Sequence, residues 1–374
     1  MPTSPPAPSS VSLPHLHPAG HSFRTRAQAG KGWLLALLLQ VGGFAGLLPF
    51  EAREASAAPL TVSLGTLAPE GTSYHRSLLE MREKWRKAPA GGVNLRVYGG
   101  GKMGGEAKMV SQMRLGSLDA ALLTSTGLAE IEPGVAGQQS IPMMFRTLDE
   151  VDYIAQKLHP TLEARMEKAG FVVLFWSDGG WTHFFSKQPM ITPEDLKKVK
   201  LFIWAGDATY HGIWKSGGFQ PVPLETADIV PMLDTGLITC VPMPPFAALA
   251  TQIYTRAPHM LALKWAPLTG GMVIRKAVWD KIPAETRAEL LRTAAETGKL
   301  NKAQSRAESL RAIDAMKEKG VIVHEVSPEL DAQWRKVAET FYPQVKGGLV
   351  PADIFNEVDK ALKDYRESHG SAKP

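Results

Sequence analysis

From Leu60 onward the sequence alternates between a two-residue and a 3.6-residue apolar period. Leu60 to Thr66 reads as a strand, Thr72 to Ala88 as an amphipathic helix, and Val93 to Tyr98 as a second strand. Gly105 to Leu115 then reads as a second helix and Asp119 to Thr124 as a third strand. Such a β-α-β-α-β run buries its faces by laying helices over parallel strands, so an α/β fold with a mostly parallel sheet is expected. Thr147 to Ala169 reads as a helix that Pro160 should break or kink. Phe171 to Ser177 and Trp181 to Ser186 read as two strands around an Asp178-Gly179-Gly180 turn. From Thr192 the rhythm restarts, with Thr192-Pro193-Glu194-Asp195 carrying an N-cap, a proline at the first helical position and an acid in the first turn. Lys200 to Trp204 is then a strand, Asp207 to Ser216 and Thr226 to Asp234 are helices, and Leu237 to Val241 is a strand leading into Pro242-Met243-Pro244-Pro245. Two successive βα sheets indicate two lobes, which 374 residues accommodate.

The last third reads as mainly helical. Ala284 to Lys319 holds helical periodicity with no Pro and only Gly298 as a weak point. At about 1.5 Å per residue it would reach roughly 50 Å, longer than one lobe is wide, so it should cross both lobes or kink near Gly298. Ser327-Pro328 starts another helix, and Ile354, Val358, Ala361, Leu362 and Tyr365 stripe the last.

The first 57 residues follow a different logic. Arg24, Arg26 and Lys31 precede an apolar run from Trp33 to Phe50, and Ala55-Ser56-Ala57 follows as a small-x-small cleavage pattern. Basic, apolar and small-residue regions in that order describe a Sec-type signal peptide over 1–57. Gly42, Gly43, Gly46 and Pro49 weigh against an uncleaved anchor. No later apolar stretch approaches the roughly 20 residues that span a bilayer, so a soluble periplasmic product is expected. Cys240 is the single cysteine, which excludes an intrachain disulfide, a Cys-based metal cage and a lipid-modified N-terminal Cys. With 42 Lys plus Arg against 37 Asp plus Glu, the net charge of +5 is too small and too evenly spread to argue for nucleic acid.

Motifs for chemistry fail one by one. Gly99, Gly101 and Gly104 match G-x-G-x-x-G after a strand and before a helix, but this is not the first strand of the sheet, and Asp119 precedes the next strand instead of ending it. Lys102 is followed by Met103, so a phosphate-binding P-loop fails too. There is no G-x-S-x-G, no H-E-x-x-H and no pair of His at metal-ligand spacing. Cys240 sits in an apolar strand and reads as a buried, inert thiol. Glu70, Glu106 and Glu225 lie near turns that can face a cleft, although each also fits a solvated surface. No enzyme, metal or cofactor is expected.

Several segments resemble one known family. Leu67-Ala68-Pro69-Glu70-Gly71-Thr72-Ser73-Tyr74-His75 is similar to the opening strand–helix turn of TRAP-transporter solute-binding proteins of the DctP type. Met103-Gly104-Gly105-Glu106, Leu115-Gly116-Ser117-Leu118-Asp119, Ile141-Pro142-Met143-Met144-Phe145-Arg146, Thr192-Pro193-Glu194-Asp195-Leu196-Lys197 and Ala277-Val278-Trp279-Asp280-Lys281 follow in the family's order. The resemblance implies a type II periplasmic-binding-protein-like architecture, with two hinged α/β lobes and a long helix across both. Lobe I would comprise 58–180 plus about 268–307, and lobe II about 181–267 plus 308–368. It also implies a receptor, as a monomer or weak dimer, that closes on a small-molecule solute and presents it to the TRAP membrane permease subunits.

The departures from the family's pattern concern the ligand. Where relatives place a carboxylate-binding Arg after D-L-K-G-L-K-I, this chain has Phe202. Thr182 follows Gly180-Trp181, where a second Arg is common, and Met243 stands for the Asn of D-G-Q-E-N-P. No Phe can replace the paired hydrogen bonds of a guanidinium. The expected ligand site therefore comprises Phe202, Trp204, Met243, Trp181, Thr182 and Trp176, with Glu225 and Glu70 at its edge, and it favours a hydrophobic or aromatic solute. Two other readings stay open: the same side chains fill the cleft as core, or the chain is an interaction or lipid-handling protein that retains the fold and works with a periplasmic partner.

Overall fold

The structure, a computed structural model, describes residues 59–205 and 208–369, so the signal-peptide reading of 1–57 lies outside the described residues. The first half contains β1 (Leu60–Thr66), α1 (Ser73–Arg86), β2 (Val93–Tyr98), α2 (Glu106–Leu115), β3 (Ala120–Thr124), α3 (Ser125–Ala129), α4 (Leu148–Lys168) and β4 (Phe171–Ser186). There follow α5 (Pro193–Leu196), β5 (Lys200–Trp204), α6 (Ala208–Ser216), β6 (Gln220–Leu224), α7 (Ile229–Thr235), β7 (Cys240–Met243) and α8 (Pro245–Ala250). The chain closes with β8 (His259–Arg275), α9 (Lys276–Trp279), α10 (Ala284–Glu318), β9 (Ile322–His324), α11 (Pro328–Val345) and α12 (Ala352–His369).

Helix starts follow their caps. The Thr72 hydroxyl accepts from His75 N, Thr192 and Asp195 form a reciprocal capping box, and the Ser327 hydroxyl accepts from Leu330 N. The strands form a nine-stranded sheet ordered β2-β1-β3-β8-β4-β7-β5-β6, with β9 beside β8. At one end β2, β1 and β3 are parallel, and at the other β7, β5 and β6 are parallel. Between them β8 and β4 run antiparallel to each other and to β3 and β7, while the short β9 pairs in parallel with β8. The parallel expectation therefore holds within each end but not across the middle.

Two sequence expectations need correction, and a third is narrowed. Phe171 to Ser186 is a single strand, not two: the Asp178-Gly179-Gly180 stretch is absorbed as a register shift against β8 between Asp178 and Trp181. Pro160 does not end α4, whose buried stripe of Val151, Ile154, Leu158, Leu162 and Met166 continues through it and holds the turns on either side. Of the two outcomes left open for the helix from Ala284, packing along both ends of the sheet is the one seen, and α10 runs unbroken through Gly298 for 35 residues. Gly298 serves contact instead, since a Cβ there would sit 2.8 Å from Cβ of Phe175.

Alternate residues of β3 enter different cores, Ala120 and Leu122 on one face and Ala121 and Leu123 on the other. On the first face, Leu64, Leu78, Met81 and Trp85 pack with Leu290 and Ala294 of α10. Farther along the same helix, Ala312 and Met316 pack with Phe202, Leu233, Val241 and Ala248. One helix thus roofs both ends of the sheet, as its length predicts. It is pinned at mid-span: Arg306 donates from Nε and Nη2 to the Asp178 carboxylate at 2.8 and 2.7 Å, and from Nη1 and Nη2 to Asp152 at 3.1 and 2.6 Å.

His183 on β4 supplies a pH-dependent element of stability. It is buried, and desolvation lowers its pKa to about 4, outweighing the backbone carbonyls of Leu263 and Leu261. An unfolded imidazole titrates near 6.5. The folded value is the lower one, so its contribution is complete above about pH 6.5 and is lost as pH falls toward 4, amounting to roughly 3 kcal/mol. A His183→Asn variant should lose less unfolding free energy than wild type between pH 7 and 4.5 in urea titrations. Parallel losses would show that His183 does not carry the effect.

Candidate functional site

A cleft of about 170 Å³ opens at the carboxyl ends of the parallel strands, where open α/β sheets hold ligands. Thr66 and Leu67 at the end of β1 and Leu122 to Thr124 of β3 form one wall. Phe202 and Trp204 of β5, Met243 at the end of β7 and Phe246 of α8 form the other. Ser177 to Gly179 of β4 and Leu268 to Gly270 of β8 make the floor between them. Tyr74 reaches across from α1 and stacks on Phe246 at 6.0 Å. Its hydroxyl donates to the Asp178 carbonyl at 2.7 Å, and burial pushes the phenol up to about 12, so it stays neutral.

Electrostatically the cleft is one-sided. Among the described residues, none of those lining it is Lys, Arg or His; its charged side chains are Asp178 and Glu106. Asp178 is held by Arg306 from outside the cleft. Glu106 accepts from Thr124 N at 2.7 Å and from Thr124 Oγ1 at 2.6 Å, while desolvation raises its pKa.

The structure gathers some of the sequence-predicted residues and leaves others apart. Phe202, Trp204 and Met243 line the cleft, the first two edge to face at 5.3 Å. Thr182 lines a neighbouring cavity together with Phe202 and Trp204. Glu225 borders a small recess with Trp204 and Glu106. Glu70 is exposed and paired with Lys102 at 2.5 Å, which holds its carboxyl below the usual range. Trp181 and Trp176 pack against the large core on the opposite face, where Trp176 donates to Glu163 at 2.7 Å and stacks on His159 at 4.3 Å. Neither Glu70 nor these two tryptophans lines the cleft. Sequence reasoning did not put forward Tyr74, Thr226 or Leu268. Tyr74 lies inside the quoted opening motif, and Leu268 lies in β8, whose alternation Pro267 and the Gly270-Gly271 pair obscure.

This architecture, with a cleft at the strand ends between two parallel β systems, is that of type II periplasmic solute-binding proteins. A crystal structure of a TRAP periplasmic solute-binding protein from Ralstonia eutropha H16, with bound (S)-2-acetolactate, superposes with a TM-score of 0.76 at 20% identity, covering 81% of this chain and 99% of that one. One from Shewanella oneidensis with bound succinate gives 0.75 at 18% identity, with the same coverage of 81% and 99%. In sequence, the 2,3-diketo-L-gulonate-binding periplasmic protein YiaO of Escherichia coli K12 is 26% identical over 327 residues, 84% of this chain and 96% of that protein. The C4-dicarboxylate-binding periplasmic protein DctP of Rhodobacter capsulatus is 21% identical over 288 residues, 76% and 85% of the two chains.

The profile of the DctP family, bacterial extracellular solute-binding protein family 7, matches residues 64–347, and the chain belongs to that family. Its members bind solutes for TRAP transporters and are not enzymes. The family is periplasmic, and no helix of the described residues is long and apolar enough to cross a membrane.

Proposed function

We propose that this receptor captures a solute more hydrophobic or aromatic than the small acids named for its relatives and delivers it to a TRAP permease. The observation that carries the proposal is the cleft without a cation. A carboxylate buried beside Phe202 and Met243 would lose its hydration without a counter-charge, at a cost of several kcal/mol. An apolar body gains about 25 cal/mol for each Å² it buries there. Phe202, Trp204 and Met243 would contact that body, and Thr182 and Glu225 would border the adjoining spaces.

Binding would draw together lobe I, 58–180 with about 268–307, and lobe II, about 181–267 with 308–368. In support of that division, its boundaries fall within β4, β8 and α10: β8 pairs with β3, β4 pairs with β7, and α10 packs over both ends of the sheet. Ligand would favour the closed form by its differential affinity for it.

Native mass spectrometry of protein purified from its own host tests the reading. A 1:1 adduct whose released ligand is aromatic or long-chain is the expected result. A 1:1 complex with succinate or another small dicarboxylate alone would sink it.

A further inference from the structure

Beyond Phe202, Trp204 and Leu268 lies a second cavity of about 60 Å³. These three side chains line both spaces, so they are the partition between them. The second cavity is bordered by Trp214 of α6, which is only 3% exposed. Trp214 stacks on Trp265 at 5.3 Å and meets Phe219 edge-on at 5.2 Å, so its ring is held on more than one side. Its indole N–H has no hydrogen-bond partner among the described residues. Buried tryptophans ordinarily donate that hydrogen, and a buried donor left unmet costs about 1–3 kcal/mol.

The remaining polar groups narrow what could meet it. Gln139 is already engaged, its carbonyl accepting from Thr269 N at 2.9 Å and its amide donating to Thr126 Oγ1 at 3.4 Å. Ser140, Thr182 and Tyr210 bring hydroxyls to the same space, and among the described residues no charged side chain lines it. A donor-only N–H with hydroxyls around it and no cation among the described residues suits a neutral acceptor, whereas a carboxylate there would be uncompensated. The volume is several times the roughly 10–15 Å³ that one water needs, enough for a carbonyl and its flanking carbons.

We infer that this cavity is a subsite for the polar end of the ligand: a ketone, ester or amide carbonyl passes the partition and accepts from Trp214 Nε1 while the apolar body stays in the cleft. This rests on the proposed apolar ligand and adds to it a chemical class, an uncharged amphipathic carbonyl compound.

Two probes of one shape separate the claims. 4-Phenyl-2-butanone and butylbenzene share a ring and chain length and differ in the carbonyl. Titrated calorimetrically, the Trp214→Phe variant should bind the ketone about tenfold more weakly than wild type does. Its affinity for butylbenzene should stay within about twofold of wild type. An equal change for both probes overturns the subsite and leaves the apolar cleft standing. Binding of succinate with neither probe bound, or no binding of either probe, overturns both. Should Trp214→Phe fail to fold, wild-type protein still decides the matter: one buried indole N–H resonance should move downfield with the ketone and hold its place with butylbenzene. No such movement overturns the subsite.

Discussion

Replacing Arg306 with methionine should remove about 3–5 kcal/mol of stability, the range for stripping a buried ion of its partner. Asp178 is 5% exposed on its side chain and takes two hydrogen bonds from this one guanidinium. Without it, the nearest cation is Lys302, 3.9 Å away and already paired with Asp152 at 2.5 Å. The same guanidinium ties α10 to α4 through Asp152, so the variant also loses the clasp between the long helix and the sheet. Urea denaturation would measure the loss. Arg306→Met combined with Asp178→Asn should recover a large part of it, because the stranded charge is gone. A single variant within 1 kcal/mol of wild type would mean that solvent or Lys302 satisfies Asp178, and the clasp would lose its role.

Phe202→Ala should cost about 3–5 kcal/mol as well, by a different route. The ring is fully buried and packs among Val241, Met243 and Ala248 as well as against Trp204. Truncating it removes apolar contact and also opens the partition between the cleft and the cavity behind it. Stability and binding therefore have to be read separately. Denaturation should show the loss with no ligand present, and an apolar ligand should bind at least about tenfold more weakly once part of its wall is gone. An unchanged dissociation constant in a destabilised protein would place Phe202 in the core alone.

Local elements were legible wherever one period ran uninterrupted. β1, β2 and α10 lie where alternation or helical spacing puts them, and the helix at Ser73 starts where Thr72 caps it. β8 escaped because Pro267 and Gly270-Gly271 disguise a 17-residue strand. β6 escaped for a similar reason, since Gln220–Leu224 carries two prolines. In both cases the neighbouring strands, not intrinsic preference, decide the conformation. The candidate site was legible in part, because the family resemblance marks Phe202 and Met243 at positions where relatives bind ligand, and both line the cleft with Trp204. What a linear reading cannot supply is apposition across the fold: Tyr74 on Phe246, Arg306 on Asp178, and Trp214 behind Phe202.

The placement of β8 sets the order in which the chain can fold. β3 has β1 on one side and, on the other, Ile274 to Gly270, so its ladder stays incomplete until the chain has been made past residue 275. The core over β1 and β2 waits longer still, for Leu290 and Ala294. At the other end β5, β6 and β7 all lie within residues 200–243, but the core over them waits for Ala312 and Met316 of α10. Loop-closure entropy for such distant pairings has to be met before their contacts form, which makes folding slow. A chain made only as far as β7 is therefore left with one edge of β3 unpaired and the core over β1 and β2 uncovered.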